Sequence, residues 1–141
     1  MITELDENYL ERLKKFLNEY DEFWNEKILE DEFKNPNSKY YVLVKDNELI
    51  GFGGLWFNID EAHIMNIAVN KKFRRNGFGT DILSYLINVA KENNKKILTL
   101  EVRADNNPAI KLYEKFDFKK IGIRKRYYNN SIDAIIMTKF F

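Results

Sequence analysis

Apolar residues recur every three or four positions in several parts of this chain, a spacing typical of helices that pack one face against a core. The clearest case is a helix that ends at Asn93-Asn94 and has these apolar residues on one face: Ile82, Leu83, Leu86, Ile87 and Ala90. The same spacing predicts three shorter helices, over about residues 6–18, 25–33 and 108–115. Four helices are therefore expected.

Runs rich in β-branched and aromatic residues predict strands between these helices. They cover about residues 40–44, 49–52, 62–69, 97–102, 118–123 and 133–139. Asp46-Asn47 is typical of a hairpin turn, and three glycines at 51, 53 and 54 indicate a bulge or a close approach of another backbone. The order of elements predicts a mixed α/β fold in which helices cover a sheet.

Composition narrows the class of protein. The chain has 141 residues, of which 45% are hydrophobic and 32% charged, a balance typical of one globular domain over residues 1–141. No apolar run approaches the roughly 18 residues of a membrane span, and the N-terminus lacks the pattern of a secretory signal, so a cytoplasmic location is expected. With no cysteine and the single histidine His63, thiol nucleophiles and Cys- or multi-His metal sites are excluded, and no metal is expected.

Charge is distributed unevenly along the chain. Residues 1–70 carry 7 Lys and Arg against 15 Asp and Glu, whereas residues 71–141 carry 16 against 7. The first half thus suits a basic partner and the second an anionic one, unless the two halves simply attract each other in the fold.

A glycine-containing loop, Arg74-Arg75-Asn76-Gly77-Phe78-Gly79-Thr80, lies between a predicted strand and the longest predicted helix. Glycines permit close approach of a ligand, and the first amides of a helix lack internal acceptors, so the loop is a candidate phosphate site. It lacks the lysine of a Walker loop and the third glycine of a dinucleotide fingerprint. The alternative is an ordinary helix start with solvated arginines.

The predicted strand over residues 97–102 alternates strictly: Leu98, Leu100 and Val102 point one way, and Thr99, Glu101 and Arg103 the other. The polar side faces either solvent or a cleft. In a cleft, Glu101 could accept a proton from an attacking amine. Tyr113 lies in the short helix that follows, where its phenol either packs or donates a proton to a leaving group.

Arg74-x-x-Gly77-x-Gly79, preceded by Asn66-Ile67-Ala68-Val69, resembles the Q/R-x-x-G-x-G/A signature of the GNAT family of N-acetyltransferases. Residues from 60 to the end are similar to its ribosomal-protein alanine N-acetyltransferase (RimI-type) branch, notably in Leu100–Asn106, Ala109–Glu114 and Ile123–Tyr128. The resemblance implies an α/β fold: a mixed, mostly antiparallel sheet of six or seven strands, flanked by about four helices. Its central strands, 64–69 and 97–102, would splay apart.

The resemblance also implies a site for acetyl-coenzyme A. The pyrophosphate would lie on the loop, and the backbone of the preceding strand would pair with the pantetheine arm; Asn106 would contact coenzyme amides. The implied cofactor-binding residues are Ile67, Ala68, Val69, Arg74, Arg75, Asn76, Gly77, Phe78, Gly79, Thr80 and Asn106. The implied catalytic residues are Glu101 as general base and Tyr113 as general acid.

The acceptor implied is the N-terminal alanine of a ribosomal protein, a basic partner for the acidic first half of the chain. The alternatives are a small amine or a lysine as acceptor, a regulatory module that binds acyl-coenzyme A without turnover, and Glu61 in place of Glu101 as base. The basic and aromatic cluster Arg124–Tyr128 is either solvated, suited to single-stranded nucleic acid, or, by resemblance, a tyrosine pair over the acceptor peptide. We expect no direct nucleic-acid partner and a monomer or weak dimer.

Two departures from the family pattern are visible. Phe116-Asp117-Phe118 stands where the family has a glycine turn, and we expect Asp117 to adopt the positive φ instead. The proline expected between Phe23 and Trp24 is absent, in the region that shapes the acceptor groove in the family.

Overall fold

The structure is a computed structural model that describes residues 1–20, 26–128 and 131–141, with side chains described for all of these except 18–20, 26 and 126–128. Its strands are β1 (Ile2–Glu4), β2 (Ser38–Lys45), β3 (Glu48–Phe57), β4 (Glu61–Val69), β5 (Ile97–Arg103), β6 (Lys119–Tyr128) and β7 (Ile132–Phe140). Its helices are α1 (Glu7–Tyr20), α2 (Glu26–Lys34), α3 (Phe78–Glu92) and α4 (Asn107–Lys115), with a 3-10 turn over Lys71–Phe73.

The seven strands form one sheet in the order β1-β2-β3-β4-β5-β7-β6. Every pairing is antiparallel except that of β4 with β5. The predicted hairpin between β2 and β3 is present, with Asp46 at φ 51° and Asn47 at φ 61°, the values that a tight two-residue turn requires. The mixed, mostly antiparallel sheet with four helices is therefore confirmed.

Two cores cover the two faces of the sheet. α3 and α4 cover one face, where residues such as Leu86, Leu98 and Ile110 are buried together. α1 and α2 cover the other face over β2 and β3, where Leu13, Leu29 and Phe52 form a second core. The division follows the alternation of apolar residues along each strand.

Glycine allows α3 to lie close to β3. A Cβ on Gly53 would stand 2.7 Å from Cγ2 of Ile82 and 3.0 Å from Cδ1 of Leu86. The close approach at Gly53 is therefore made by side chains of α3 and not by another backbone. The predicted bulge is present, because the β3–β4 register slips between Gly54 and Leu55 and leaves Met65 as the extra residue of β4.

The central strands part, as the resemblance implied. β4 and β5 pair in parallel only from Glu61 opposite Ile97 to His63 opposite Thr99. Beyond those pairs, residues 64–69 of β4 and 100–103 of β5 have no ladder with each other. We call the space between these two segments the central gap.

Candidate active site

Backbone polar groups of β4 face the central gap. The amide of Asn70 donates to the carbonyl of Ile50 at 2.8 Å, and the register places Val69 opposite Gly51 and Ile67 opposite Gly53. Peptide groups in an antiparallel ladder alternate between facing the partner strand and facing away from it. The N–H and C=O of Ile67 and Val69 therefore point away from β3, into the gap, whereas Ala68 pairs with Phe52.

The loop between β4 and α3 ends in an open helix start. Gly77 is the N-cap residue of the helix, with φ 83°, and as a glycine it makes no side-chain capping hydrogen bond to the first turn. A Cβ on Gly77 would meet nothing within 4 Å, and one on Gly79 would meet only Cγ2 of Val69, at 3.9 Å. The first amides of α3 are consequently accessible to an anion at the positive end of the helix dipole.

Side chains of the loop brace its backbone. Nε of Arg74 donates to the carbonyl of Val69 at 3.1 Å, which ties the loop to the end of β4. Nδ2 of Asn76 donates to the carbonyls of Phe73 and Arg74 at 3.1 and 3.2 Å. Arg75 adopts φ 67° and is exposed, as is Thr80. The side chain of Asn76 therefore holds the loop in shape, and Arg75 presents its guanidinium to solvent.

The ring of Phe78 contacts Lys45, a residue of β2 that the sequence did not connect with this loop. The ring is half-buried against Phe73, with centroids 6.3 Å apart. Nζ of Lys45, from the end of β2, lies 5.7 Å from the centroid of Phe78. Because β2 and this loop are far apart in the chain, only the fold shows that Lys45 adds positive charge here.

The three polar residues of β5 project from one face of the sheet, which we call the polar face, while Leu98, Leu100 and Val102 are buried on the other. Thr99 is buried, and its hydroxyl donates to the carbonyl of Met137 at 3.1 Å. Arg103 binds Asp105 through Nε and Nη2 at 3.1 and 3.2 Å, and this contact holds the pKa of the Asp105 carboxyl below its usual range.

Glu101 is the remaining member of this stripe. Its side chain is 29% exposed, and its Oε1 lies 2.9 Å from Nη2 of Arg124 on β6. A partly exposed carboxylate beside a gap in the sheet has the access that a general base needs.

Glu61 and His63, on β4, share the polar face with Glu101, because His63 is the register partner of Thr99. Oε2 of Glu61 lies 3.4 Å from Nε2 of His63, whose ring packs against Trp56 with centroids 5.5 Å apart. His63 thus packs against the neighbouring strand β3. Glu61 stands beside the paired end of β4, before the strands part.

Tyr113 lies on α4 and packs against the core on the face opposite Glu101, with its ring 5.8 Å from that of Phe118. Asn106 caps the same helix, since its Oδ1 accepts from the amide of Ala109 at 3.3 Å. The expected positive φ of Asp117 after this helix is confirmed at 67°. Glu101 and Tyr113 thus lie on opposite faces of the sheet, and the central gap is the opening between those faces.

Phe23 and Trp24 lie outside the described residues, and so do the side chains of Tyr127 and Tyr128.

Within the described ranges, no group of three or more His, Asp or Glu side chains is arranged to hold a metal ion. None of the helices in the described part of the chain is long and apolar enough to span a membrane.

Comparison with known proteins agrees with this geometry. Residues 5–118 match the sequence pattern of the Acetyltransferase (GNAT) family. The chain is 38% identical over 119 residues to a ribosomal protein bS18-alanine N-acetyltransferase of Salmonella typhimurium, covering 81% of this chain and 78% of that protein.

Solved structures are similar over nearly the whole length. The crystal structure of the ribosomal-protein-S18-alanine N-acetyltransferase from Escherichia coli has a TM-score of 0.90 at 31% identity, and the match covers 98% of this chain and 91% of that one. Arabidopsis thaliana NAA60 in complex with acetyl-CoA shares the fold, with a TM-score of 0.87 at 17% identity over 100% of this chain and 98% of that one.

Proposed function

The chain belongs to the GNAT family of acetyltransferases, and from that premise we propose that it moves the acetyl group of acetyl-CoA to the N-terminal α-amine of a ribosomal protein that begins with alanine. The observation that carries the proposal is the central gap, which has an open helix start at one end and Glu101 on its polar face. The named relatives of Salmonella and Escherichia coli supply the acceptor class.

The acetyl-CoA site is proposed on the open helix start. The residues fit a diphosphate there, because the spaces beside Gly77 and Gly79 are unfilled and the N-cap residue Gly77 gives the first amides of α3 no side-chain cap. Exposed Arg75 and nearby Lys45 would add charge, while Arg74 and Asn76 keep the loop in shape. The carbonyl of Ile67 and the N–H of Val69 would hydrogen-bond the pantetheine arm, and Asn106 would offer its Nδ2 to a coenzyme amide.

Glu101 is the proposed general base. The neutral amine nitrogen attacks the thioester carbonyl carbon, and the proton that the nitrogen loses goes to the Glu101 carboxylate, directly or through a water. The N–H of Ile67, directed into the gap, can stabilise the negative charge that develops on the carbonyl oxygen. Direct attack suits a chain without cysteine.

Tyr113 is the proposed general acid. When the carbon–sulfur bond breaks, the electron pair stays on sulfur, and the Tyr113 hydroxyl supplies the proton that makes the free thiol. A phenol with a pKa of about 10 can protonate a thiolate whose conjugate acid is near 8.5, and solvent then restores the phenol.

The lower pKa of an α-amino group favours it over a lysine as the acceptor. An α-amino group with a pKa of about 7.7–8.0 is roughly one-tenth neutral at pH 7, whereas a lysine near 10.4 is neutral only to a few parts in ten thousand. A single partly exposed carboxylate therefore deprotonates an α-amino group more readily than a lysine. A lysine or a small polyamine remains the second candidate acceptor.

We further propose that the chain acts as a single catalytic domain in the cytoplasm, where ribosomal proteins are made. The acceptor would be a protein N-terminus with a basic tail, matching the excess of Asp and Glu in residues 1–70. No second copy is needed to complete the site as proposed, so a monomer is expected to be active.

Release of coenzyme A thiol from acetyl-CoA tests the proposal. A basic peptide that begins with alanine should give release, and mass spectrometry should find the acetyl group on its α-amine. The matched control is the same peptide with its N-terminus already blocked, which leaves only lysine amines. Release with the blocked peptide or with spermidine alone would assign a lysine or small-amine acceptor instead, and tight binding of acetyl-CoA without release would indicate a regulatory module.

A further inference from the structure

An ion pair joins the proposed base, Glu101, to a residue that lies two strands away in the sheet. Glu101 is on β5 and Arg124 is on β6, with β7 between them. Ala134 of β7 is the register partner of both Arg124 and Arg103, and it is fully buried. The small side chain of Ala134 leaves room for the long Arg124 side chain to pass over β7.

Neighbouring contacts direct Arg124 to Glu101. Across β7, the β5 residue level with Arg124 is Arg103, whose like charge disfavours contact and whose guanidinium is bound to Asp105. Thr99, the other polar residue of the stripe, is buried and bonded to Met137 and Thr138. Among these positions, Glu101 is the one that offers Arg124 an opposite charge.

The contact occupies one side of the carboxylate. Nη2 of Arg124 meets Oε1 of Glu101, and no ion pair to Oε2 occurs among the residues that the structure describes. The last torsion of a glutamate is broad, so a carboxylate without such a contact samples many orientations. A guanidinium has a planar, rigid set of donors and limits that freedom.

The pair is poorly suited to a stabilising role. Arg124 is 55% exposed and Glu101 29% exposed, and ion pairs with this access to solvent contribute little to folding. Its effect is therefore expected on the orientation of Glu101 rather than on the stability of the fold.

We propose that Arg124 is a positioning residue for the general base: it holds Oε1 of Glu101 so that Oε2 meets the acceptor amine at the central gap. This inference rests on the proposed function, because it requires Glu101 to be the base. Arg124 itself contacts neither the acetyl group nor the amine in this account. The alternation of residues on β5 predicted Glu101 as a candidate base. Arg124, in contrast, belongs to a basic cluster for which the sequence left several roles open.

A double-mutant cycle tests the inference with the alanine-initiated peptide. Arg124→Ala should lower kcat about tenfold or more while the KM for acetyl-CoA and the melting temperature stay at their wild-type values. Arg124→Lys should recover part of kcat, because an ammonium supplies the charge without the fork of donors. In the Glu101→Gln background, adding Arg124→Ala should change kcat less than twofold. Lys125→Ala, which removes the neighbouring cation on β6, should leave kcat unchanged.

The outcomes separate this inference from the proposed function. If Glu101→Gln is impaired but Arg124→Ala keeps wild-type kcat, the positioning role is wrong and the base assignment stands. If Arg124→Ala lowers kcat equally in both backgrounds, Arg124 acts independently of Glu101 and the inference is overturned. Wild-type kcat in Glu101→Gln would overturn the base assignment and the inference together.

Discussion

Tyr41 shows how the fold changes the chemistry of a single residue. Burial, with the nearby Glu4 carboxylate as a second cause, raises the pKa of the Tyr41 phenol to about 12. Its ring contacts that of Tyr85 on α3, with centroids 5.0 Å apart. The neutral phenol is therefore favoured in the folded protein more than in the unfolded chain, where tyrosine has a pKa of about 10.

This shift predicts a loss of stability at high pH. The contribution of Tyr41 is complete below about pH 10, since the phenol is then neutral in both states, and it declines as the pH rises towards 12 because only the unfolded chain ionises freely. Urea unfolding of the wild type and of Tyr41→Phe between pH 8 and 11.5 should show the stability of the wild type falling relative to that of the variant above about pH 10. A difference in unfolding free energy that does not vary with pH would contradict the expectation.

The loop and first turn of α3 act as one element. Gly77 adopts φ 83°, a conformation that a β-branched residue accepts only at a cost of about 1–3 kcal/mol, and its open side is where the diphosphate is proposed to lie. Gly77→Val should therefore weaken coenzyme A binding by tenfold or more, measured by titration calorimetry. Melting curves would show whether the variant is folded at the temperature of the titration.

Gly122→Ala is the matched control for that variant, because its Cβ would find ordinary contact at 3.5 Å from Ile136. It should retain wild-type affinity for coenzyme A. If a folded Gly77→Val protein binds coenzyme A as tightly as the wild type, the diphosphate does not bind at this loop.

Elements with a strong local pattern were predictable, and those that depend on partners were not. The longest helix and the β2–β3 hairpin carry their own signals, apolar spacing and the Asp46-Asn47 turn. β1 was missed because three residues have no detectable alternation, and it exists only by pairing with β2. The sequence prediction ended β6 at about residue 123, whereas the strand reaches Tyr128, mostly alongside β7.

The same distinction holds for the candidate site: residues with a local pattern could be predicted from the sequence, whereas their contacts could not. The alternation on β5 predicted which side of the strand Glu101 takes, and the loop motif marked Gly77. The contact of Glu101 with Arg124 depends on strand order and on the small Ala134 between them, which no local pattern reveals. The capping role of Asn106 and the bracing role of Asn76 likewise follow only from three-dimensional neighbours.

At the scale of the whole molecule, the uneven charge suits two substrates of opposite sign. Residues 1–70 have 15 Asp and Glu against 7 Lys and Arg, and the proposed diphosphate site belongs to the basic second half. At saturating acetyl-CoA, added salt should lower kcat/KM for an alanine-initiated peptide with a basic tail, because the attraction is screened beyond about 10 Å at 0.1 M salt.

A peptide of equal length with a neutral tail is the control for this salt effect, and its kcat/KM should change little over the same range. Equal salt dependence for the two peptides would mean that the acidic half does not attract the acceptor.

The role of Glu101 is the claim on which the mechanism depends most. The direct measurement is the rate of acetyl transfer to the alanine-initiated peptide by Glu101→Gln and by Glu61→Gln, together with their affinities for coenzyme A. We predict that Glu101→Gln lowers kcat by about 10²–10⁴ with little change in affinity, and that Glu61→Gln does not. An unchanged rate in Glu101→Gln, or a larger loss in Glu61→Gln, would contradict this account.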